Sequence, residues 1–143
     1  MKQLLKVFVD SDVIISSLIS GMGAAHLLIK ESNLHLFISN HSSKELEIVV
    51  ERLDLDKEAL DDLIKRRFDI VQLASSLVKV KEKYRDYVTD VNDAYIVYGA
   101  VEAKVKFLVS YNLKHFKSDK IKSDFDILLV TPARFLQYLR SIL

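Results

Sequence analysis

The stretch KVFVDSDVIISSL, Lys6 to Leu18, ends an apolar run in two carboxylates, Asp10 and Asp12, with one serine between them. Gly or Asn would make a turn there at lower cost, so two acids at that point call for a chemical reason. Acids also stand near the ends of other apolar segments: Glu45 in SNHSSKELEIV, and Asp90 and Asp93 in TDVNDAYIV. Ser110 and Asn112 follow the apolar run KFLVS. Each position has a structural reading beside the chemical one. Asp10 suits a turn or a helix cap, and Ser42 with Glu45 three residues on has capping-box spacing. Asp90 and Asp93 suit an N-cap and a charge favourable to a helix dipole. The chemical reading needs them together. Acids converging on one cleft repel each other and resist ionisation unless a cation neutralises them. An oxygen-only donor set, without Cys or clustered His, selects Mg²⁺ or Mn²⁺ over zinc. Magnesium keeps several waters and binds phosphate oxygens, which suits phosphoryl chemistry. Spacing leaves nuclease, phosphatase and phosphotransfer reactions open.

The elements that must position these residues are legible in the hydrophobic pattern. Leu4 to Val9, Leu34 to Ser39, Lys106 to Ser110 and Asp126 to Val130 are short apolar runs bounded by polar residues, and read as strands. Helical segments follow Asp12, with VIISSLIS and AAHLLIKES separated by Gly21-Met22-Gly23. Ser42 to Leu53 is amphipathic, with Leu46, Val49, Val50 and Leu53 on one face. Asp56 to Arg67 and Val91 to Lys104 read as further helices, and within Phe68 to Val80 the terminal VKV reads as a strand. Thr131-Pro132 supplies an N-cap and first-turn proline for a closing helix bearing Phe135, Leu136, Leu139 and Leu143. Strands alternating with helices predict a three-layer α/β/α sandwich over a mostly parallel sheet. Ligands of such sheets sit outside the carboxyl ends of the strands. Asp10, Asp12, Ser110 and Asn112 fall at that edge.

Composition narrows the setting. A chain of 143 residues with 3 glycines, 1 proline and no linker reads as a single domain over 1–143. No cysteine is present, which excludes disulfides, thiol catalysis and cysteine-ligated zinc and fits a cytoplasmic location. The opening MKQLLKVFVD is too short and too acidic for a secretory core, and no apolar run is long enough for a membrane span. The net charge of +1 means that nucleic acid would be held by local basic patches. Lys114, His115 and Lys117 form one such patch, and Lys79, Lys81, Lys83 and Arg85 another; solvated lysines balancing nearby acids are the alternative. His26, His35 and His41 lack zinc spacing and read as packing or surface residues. Tyr84 and Tyr87 offer rings for stacking on bases, whereas Tyr95 and Tyr98 are expected to pack on the sheet.

The ordered segments VDSDVIISSL, SSKELEIVV and DVNDAYIVYGAVEAKVKFLVSYNLKHF resemble a PIN domain, most nearly the bacterial and archaeal VapC-type toxins of toxin–antitoxin systems. The likeness runs from Val7 to Val130. It implies that Asp10, Glu45 and Asp93 are metal-binding acids, that Asn112 takes the place of a fourth acid or its Asn replacement, and that Ser110 stands at the preceding Thr position. Asp10, Glu45, Asp93 and Asn112 are then the catalytic candidates, with Ser110 and Lys114 on the substrate. The implied activity is Mg²⁺- or Mn²⁺-dependent hydrolysis of RNA phosphodiesters, leaving a 5′-phosphate and a 3′-hydroxyl. The implied partners are an antitoxin protein and further copies of the chain, as a homodimer or higher oligomer. The chain departs from the family pattern at Asp12, where the family has Asn, and at Ser110 and Tyr111. Two other readings stay open: a haloacid-dehalogenase-type phosphatase using the D-x-D of Asp10 and Asp12, and a PIN-fold binding module with weak or no catalysis.

Overall fold

Short runs rich in β-branched and aromatic residues build the centre of the molecule. In the computed structural model, which describes residues 4–142, strands β1 (Leu5–Val9), β2 (Leu34–Ser39), β3 (Phe68–Val71), β4 (Phe107–Val109) and β5 (Leu128–Val130) form one sheet in the order β3-β2-β1-β4-β5. All four neighbouring pairs are parallel, with Val7 opposite both Leu36 and Phe107. A sheet buried on both faces explains why β1 reads as continuous apolar sequence rather than alternating. Helices α1 (Ser11–Ile19), α2 (Ala24–Lys30), α3 (Asn40–Arg52), α4 (Lys57–Arg67) and α8 (Pro132–Ile142) cover one face. Helices α5 (Leu77–Tyr84), α6 (Ala94–Glu102) and α7 (Ser118–Phe125) cover the other. Side chains alternate between the two: Val7 and Val9 enter the first core, Phe8 the second. The three-layer α/β/α architecture is thus as expected, and the sheet is wholly parallel.

Several elements differ from the sequence reading. VKV lies in α5, not in a strand; Ser76 caps this helix by accepting from Lys79 N, and Val80 and Tyr84, four apart, are its buried residues. The edge strand is instead FDIV, immediately before it. Helix α3 begins at Asn40, two residues earlier than expected, and α7 is an addition whose single buried residue, Ile121, leaves no period to read. The expected Val91–Lys104 helix divides into a 3-10 turn over Val91–Asp93 and α6. Leu143 lies outside the described residues. No single helix among them is long and apolar enough to cross a membrane.

One close approach fixes the helix that carries Asp93 at its start. Gly99 of α6 rests on the Phe8 ring, and a Cβ built there would stand 2.7 Å from ring carbons. Phe8 is fully buried in the middle of β1, so glycine sets the distance between α6 and that strand.

Candidate active site

The strand order reverses at β1, which lies between β2 and β4, and this switch point is where doubly wound sheets open a crevice. Asp10 is the first residue past β1 and Ser110 the first past β4. Backbone bonds hold both exits in register: Asp10 N donates to Val109 O (2.9 Å) and Ser110 N to Val130 O (3.1 Å).

Asp10 serves two structures at once. Its Oδ1 caps α1 by accepting from Ser11 N (2.8 Å), and its Oδ2 accepts from Ser110 Oγ (2.8 Å). Asp12 is the buckle between the two strand exits. Its Oδ2 accepts from Tyr111 N (3.0 Å), Asn112 Nδ2 (3.1 Å) and, more distantly, Ser110 Oγ (3.4 Å). Asn112 N closes the ring by donating to Ser110 Oγ (3.0 Å). Asp12 therefore organises the turn, and does so across the sheet. Its other oxygen, Oδ1, is buried with no hydrogen-bond partner among the described residues.

Glu45 and Asp93 are free of the capping duties their spacing suggested. The N-cap of α3 is Ser39, whose Oγ accepts from Ser42 N (3.0 Å), so Ser42 and Glu45 form no capping box. Asp90 caps the turn before α6 by accepting from Asn92 N (3.0 Å), while the Asp93 side chain caps nothing. Asp93 instead faces His115, with Oδ2 3.6 Å from Nδ1. The segment after β4 is tied to the stretch that precedes α6 by Thr89 N to His115 O (2.9 Å) and Lys117 N to Tyr87 O (2.8 Å).

Asp10, Glu45 and Asp93 line a single cavity of about 470 Å³ between α3 and α6, with Asn92 on the same wall. Their fields overlap. Burial, then the charge of Asp12, pushes the Asp10 carboxyl up to about 7, against the hydrogen bonds from Ser110 and Ser11 that favour its ionised form. Burial raises Asp12 as well. Glu45 is raised by burial and by Asp93. Asp93 is raised by burial and by Asp90 and Asp12, with His115 pulling the other way. Among the described residues no three His, Asp or Glu side chains close into a finished metal cluster; the carboxyls share a cavity without meeting at a point. The donor chemistry fits a hard divalent cation. The donors are oxygens, they resist ionisation together, and one buried oxygen beside Asp10 has no partner.

The other expected site residues lie differently. Ser110 is fully buried, its hydroxyl spent on Asp10 and Asp12, so it supports the carboxyls rather than reaching a ligand. Asn112 places its amide on Asp12 and is not on the cavity wall. Lys114 is exposed on the 3-10 turn Leu113–His115, outside that wall. Tyr98 packs in the core as expected, stacked on Tyr84 at 5.4 Å. Tyr95 departs from expectation: it leans on the same core but also lines the cavity, its ring 4.0 Å from that of His41. His41, Arg52 and Tyr95 are wall residues that the sequence pattern did not single out. The available signal was position on α3, since 41, 45 and 52 lie along one side of a helix.

A protein-family model described as PIN domain matches residues 6–114. No curated protein matches the chain. Among solved structures, VapBC2 from Rickettsia felis, bound to a DNA fragment from its promoter, superposes with a TM-score of 0.61 at 17% identity, covering 89% of this chain and 98% of the other. A toxin–antitoxin complex from Klebsiella pneumoniae gives 0.64 at 19% identity, covering 88% and 97%. FitAB bound to a DNA fragment gives 0.57 at 15% identity, covering 88% and 94%. These likenesses are of fold.

Proposed function

The chain belongs to the PIN domain family, and from that premise we propose that it is a metal-dependent endoribonuclease, the toxin of a toxin–antitoxin pair, with Asp10, Glu45 and Asp93 as its working acids. The observation that carries this reading is their release from structural duty: Glu45 and Asp93 cap no helix, yet both face the cavity that holds Asp10 at the sheet's switch point.

Asp10, Glu45 and Asp93 would hold Mg²⁺ or Mn²⁺, which supplies neutralisation of the acids and of the charge that develops on the phosphate. Ser110 fixes the Asp10 carboxylate through its hydroxyl, and Asp12 fixes Ser110 and the β4 exit in turn. Glu45 is exposed at the cavity wall, where its carboxylate can orient the attacking water and accept its proton. Water oxygen bonds to phosphorus, the P–O3′ bond breaks, and the products are a 5′-phosphate and a 3′-hydroxyl. The phosphatase reading of Asp10 and Asp12 is not favoured, because Asp12 is committed to three donors of the β4 exit.

The similar Klebsiella pneumoniae structure is a toxin–antitoxin complex, which supports an antitoxin as partner for this chain, covering the acidic cleft in the cytoplasm until RNA is to be cut. Self-association as a homodimer or higher oligomer belongs to the same proposal. The test is RNA cleavage with Mg²⁺ or Mn²⁺ by the wild type, by Asp10→Asn, and by the wild type in EDTA. Cleavage by the wild type alone is expected. Undiminished cleavage by Asp10→Asn would remove the acids from the reaction.

A further inference from the structure

The cavity that holds the acids is longer than three carboxyls require, and its remaining wall has a chemical order. Along α3 the cavity is lined by His41, Ser42, Glu45, Ile48, Val49 and Arg52, of which His41, Glu45 and Arg52 carry ionisable side chains. With a rise of about 1.5 Å per residue, Glu45 lies about 6 Å along the helix from His41 and about 10 Å from Arg52. At the His41 end, the ring meets Tyr95 of α6 with centroids 4.0 Å apart and planes tilted by 35°. Both rings are partly exposed. The Tyr95 hydroxyl and the His41 ring nitrogens have no hydrogen-bond partner among the described residues. Burial and Lys44 lower the His41 pKa, which favours a neutral ring suited to stacking. At the other end Arg52 is exposed and forms no ion pair among the described residues.

We propose that the His41–Tyr95 pair is a nucleobase platform and Arg52 a phosphate anchor, so that the cavity is a track for single-stranded RNA with Glu45 between the two contacts. The proposal rests on the ribonuclease reading and adds to it the residues that hold the substrate and the strandedness they demand. A base can lie on these rings only when it is unstacked from its neighbours, which an RNA duplex does not allow. The arrangement also explains how an acidic cavity accepts a polyanion: attraction comes from aromatic surface at one end and a guanidinium at the other, with the acids left to a cation between them.

The experiment measures binding, with cleavage held off by Ca²⁺ in place of Mg²⁺, using a short fluorescently labelled single-stranded RNA. Tyr95→Ala is expected to weaken binding about tenfold, the usual worth of one base–aromatic stack, and Tyr95→Phe to bind as the wild type does. Arg52→Gln is expected to flatten the dependence of log affinity on log salt by about 0.7, one phosphate's worth for a single strand, whereas Tyr95→Ala leaves that slope unchanged. An abasic nucleotide is then moved through the RNA on the wild-type protein, which tests the platform without altering the fold. At one position it should weaken binding as much as Tyr95→Ala does, and the two losses should not add. The proposal is overturned if Tyr95→Ala binds RNA like the wild type, if no abasic position matters, or if the duplex binds as tightly as the single strand. It is equally overturned if Tyr95→Ala weakens only the complex with a protein partner. Wild-type protein that cleaves RNA while failing these tests loses the platform alone; wild-type protein that neither binds nor cleaves RNA loses the ribonuclease reading with it.

Discussion

Replacing Asp10 with Asn should make the metal-free protein more stable at pH 8 while abolishing the RNA cleavage proposed for it. Asp10 is pushed from 3.8 up to about 7, first by burial and then by Asp12. A carboxyl raised on folding binds a proton in the folded state that the unfolded chain has already lost. Stability therefore falls as pH rises from about 4 to about 7, and stays low above that. At about 1.4 kcal/mol per pH unit, the cost of the ionised carboxylate at pH 8 is at most about 4 kcal/mol. Asparagine keeps the geometry. Its oxygen can accept from Ser11 N, and its amide can donate to Ser110 Oγ, which is then free to donate to Asp12 Oδ2 at 3.4 Å. Urea unfolding in EDTA at pH 5 and pH 8 reads the effect directly. The variant should lead by at most about 1.6 kcal/mol at pH 5, where the unfolded carboxyl has already lost its proton, and by about 2–4 kcal/mol at pH 8. Part of the pH slope persists in the variant, because Asp12, Glu45 and Asp93 are raised in the same direction. Added Mn²⁺ narrows or closes the gap: at a hundred times its Kd it stabilises the wild type by about 2.7 kcal/mol and the variant far less. A variant no more stable than the wild type at pH 8 without metal would refute the claim that Asp10 is held uncomfortably ionised.

Further outcomes follow from the same geometry. Ser110→Ala removes the donor to Asp10 Oδ2, and calorimetry should show Mn²⁺ binding weakened about tenfold, the worth of a hydrogen bond to a charged group. Asp12→Ala strands the donors Tyr111 N and Asn112 Nδ2 and should cost about 2–3 kcal/mol in urea unfolding, whereas Asp12→Asn, which can still accept from Tyr111 N, should cost less. Gly99→Ala drives a methyl into the buried Phe8 ring; overpacking of about 1–3 kcal/mol outweighs the gain of up to about 1 kcal/mol in helix propensity, so its melting temperature should drop.

How much of this was legible in the chain depends on the kind of signal. β1, β2, β4 and β5 are short apolar runs, most completely buried in β1 and β4, and such a run survives in one dimension. VKV reads as a strand because a two-residue alternation of valines and lysines has strand period when only three residues are considered. The helix is set by the Ser76 cap and by Val80 and Tyr84 four apart, which become visible only over two turns. Glu45 was legible as an acid near a helix start, but its freedom was not: that followed from α3 starting at Asn40 with Ser39 as its cap. His41 and Tyr95 could not be paired from sequence, because they stand on helices from opposite layers.

The sequence by itself determined the alternation of strands and helices and the placing of Asp10, Asp12, Ser110 and Asn112 at strand exits, since local hydrophobic periodicity and polar punctuation are properties of neighbours in the chain. Tertiary structure alone decided which acids cap and which face the cavity, that Ser110 and Asn112 turn towards Asp10 and Asp12, and that two rings meet beside the acids. Those are matters of distance between segments up to 100 residues apart, and distance is fixed only when the sheet's strand order and the helices' packing on it are fixed.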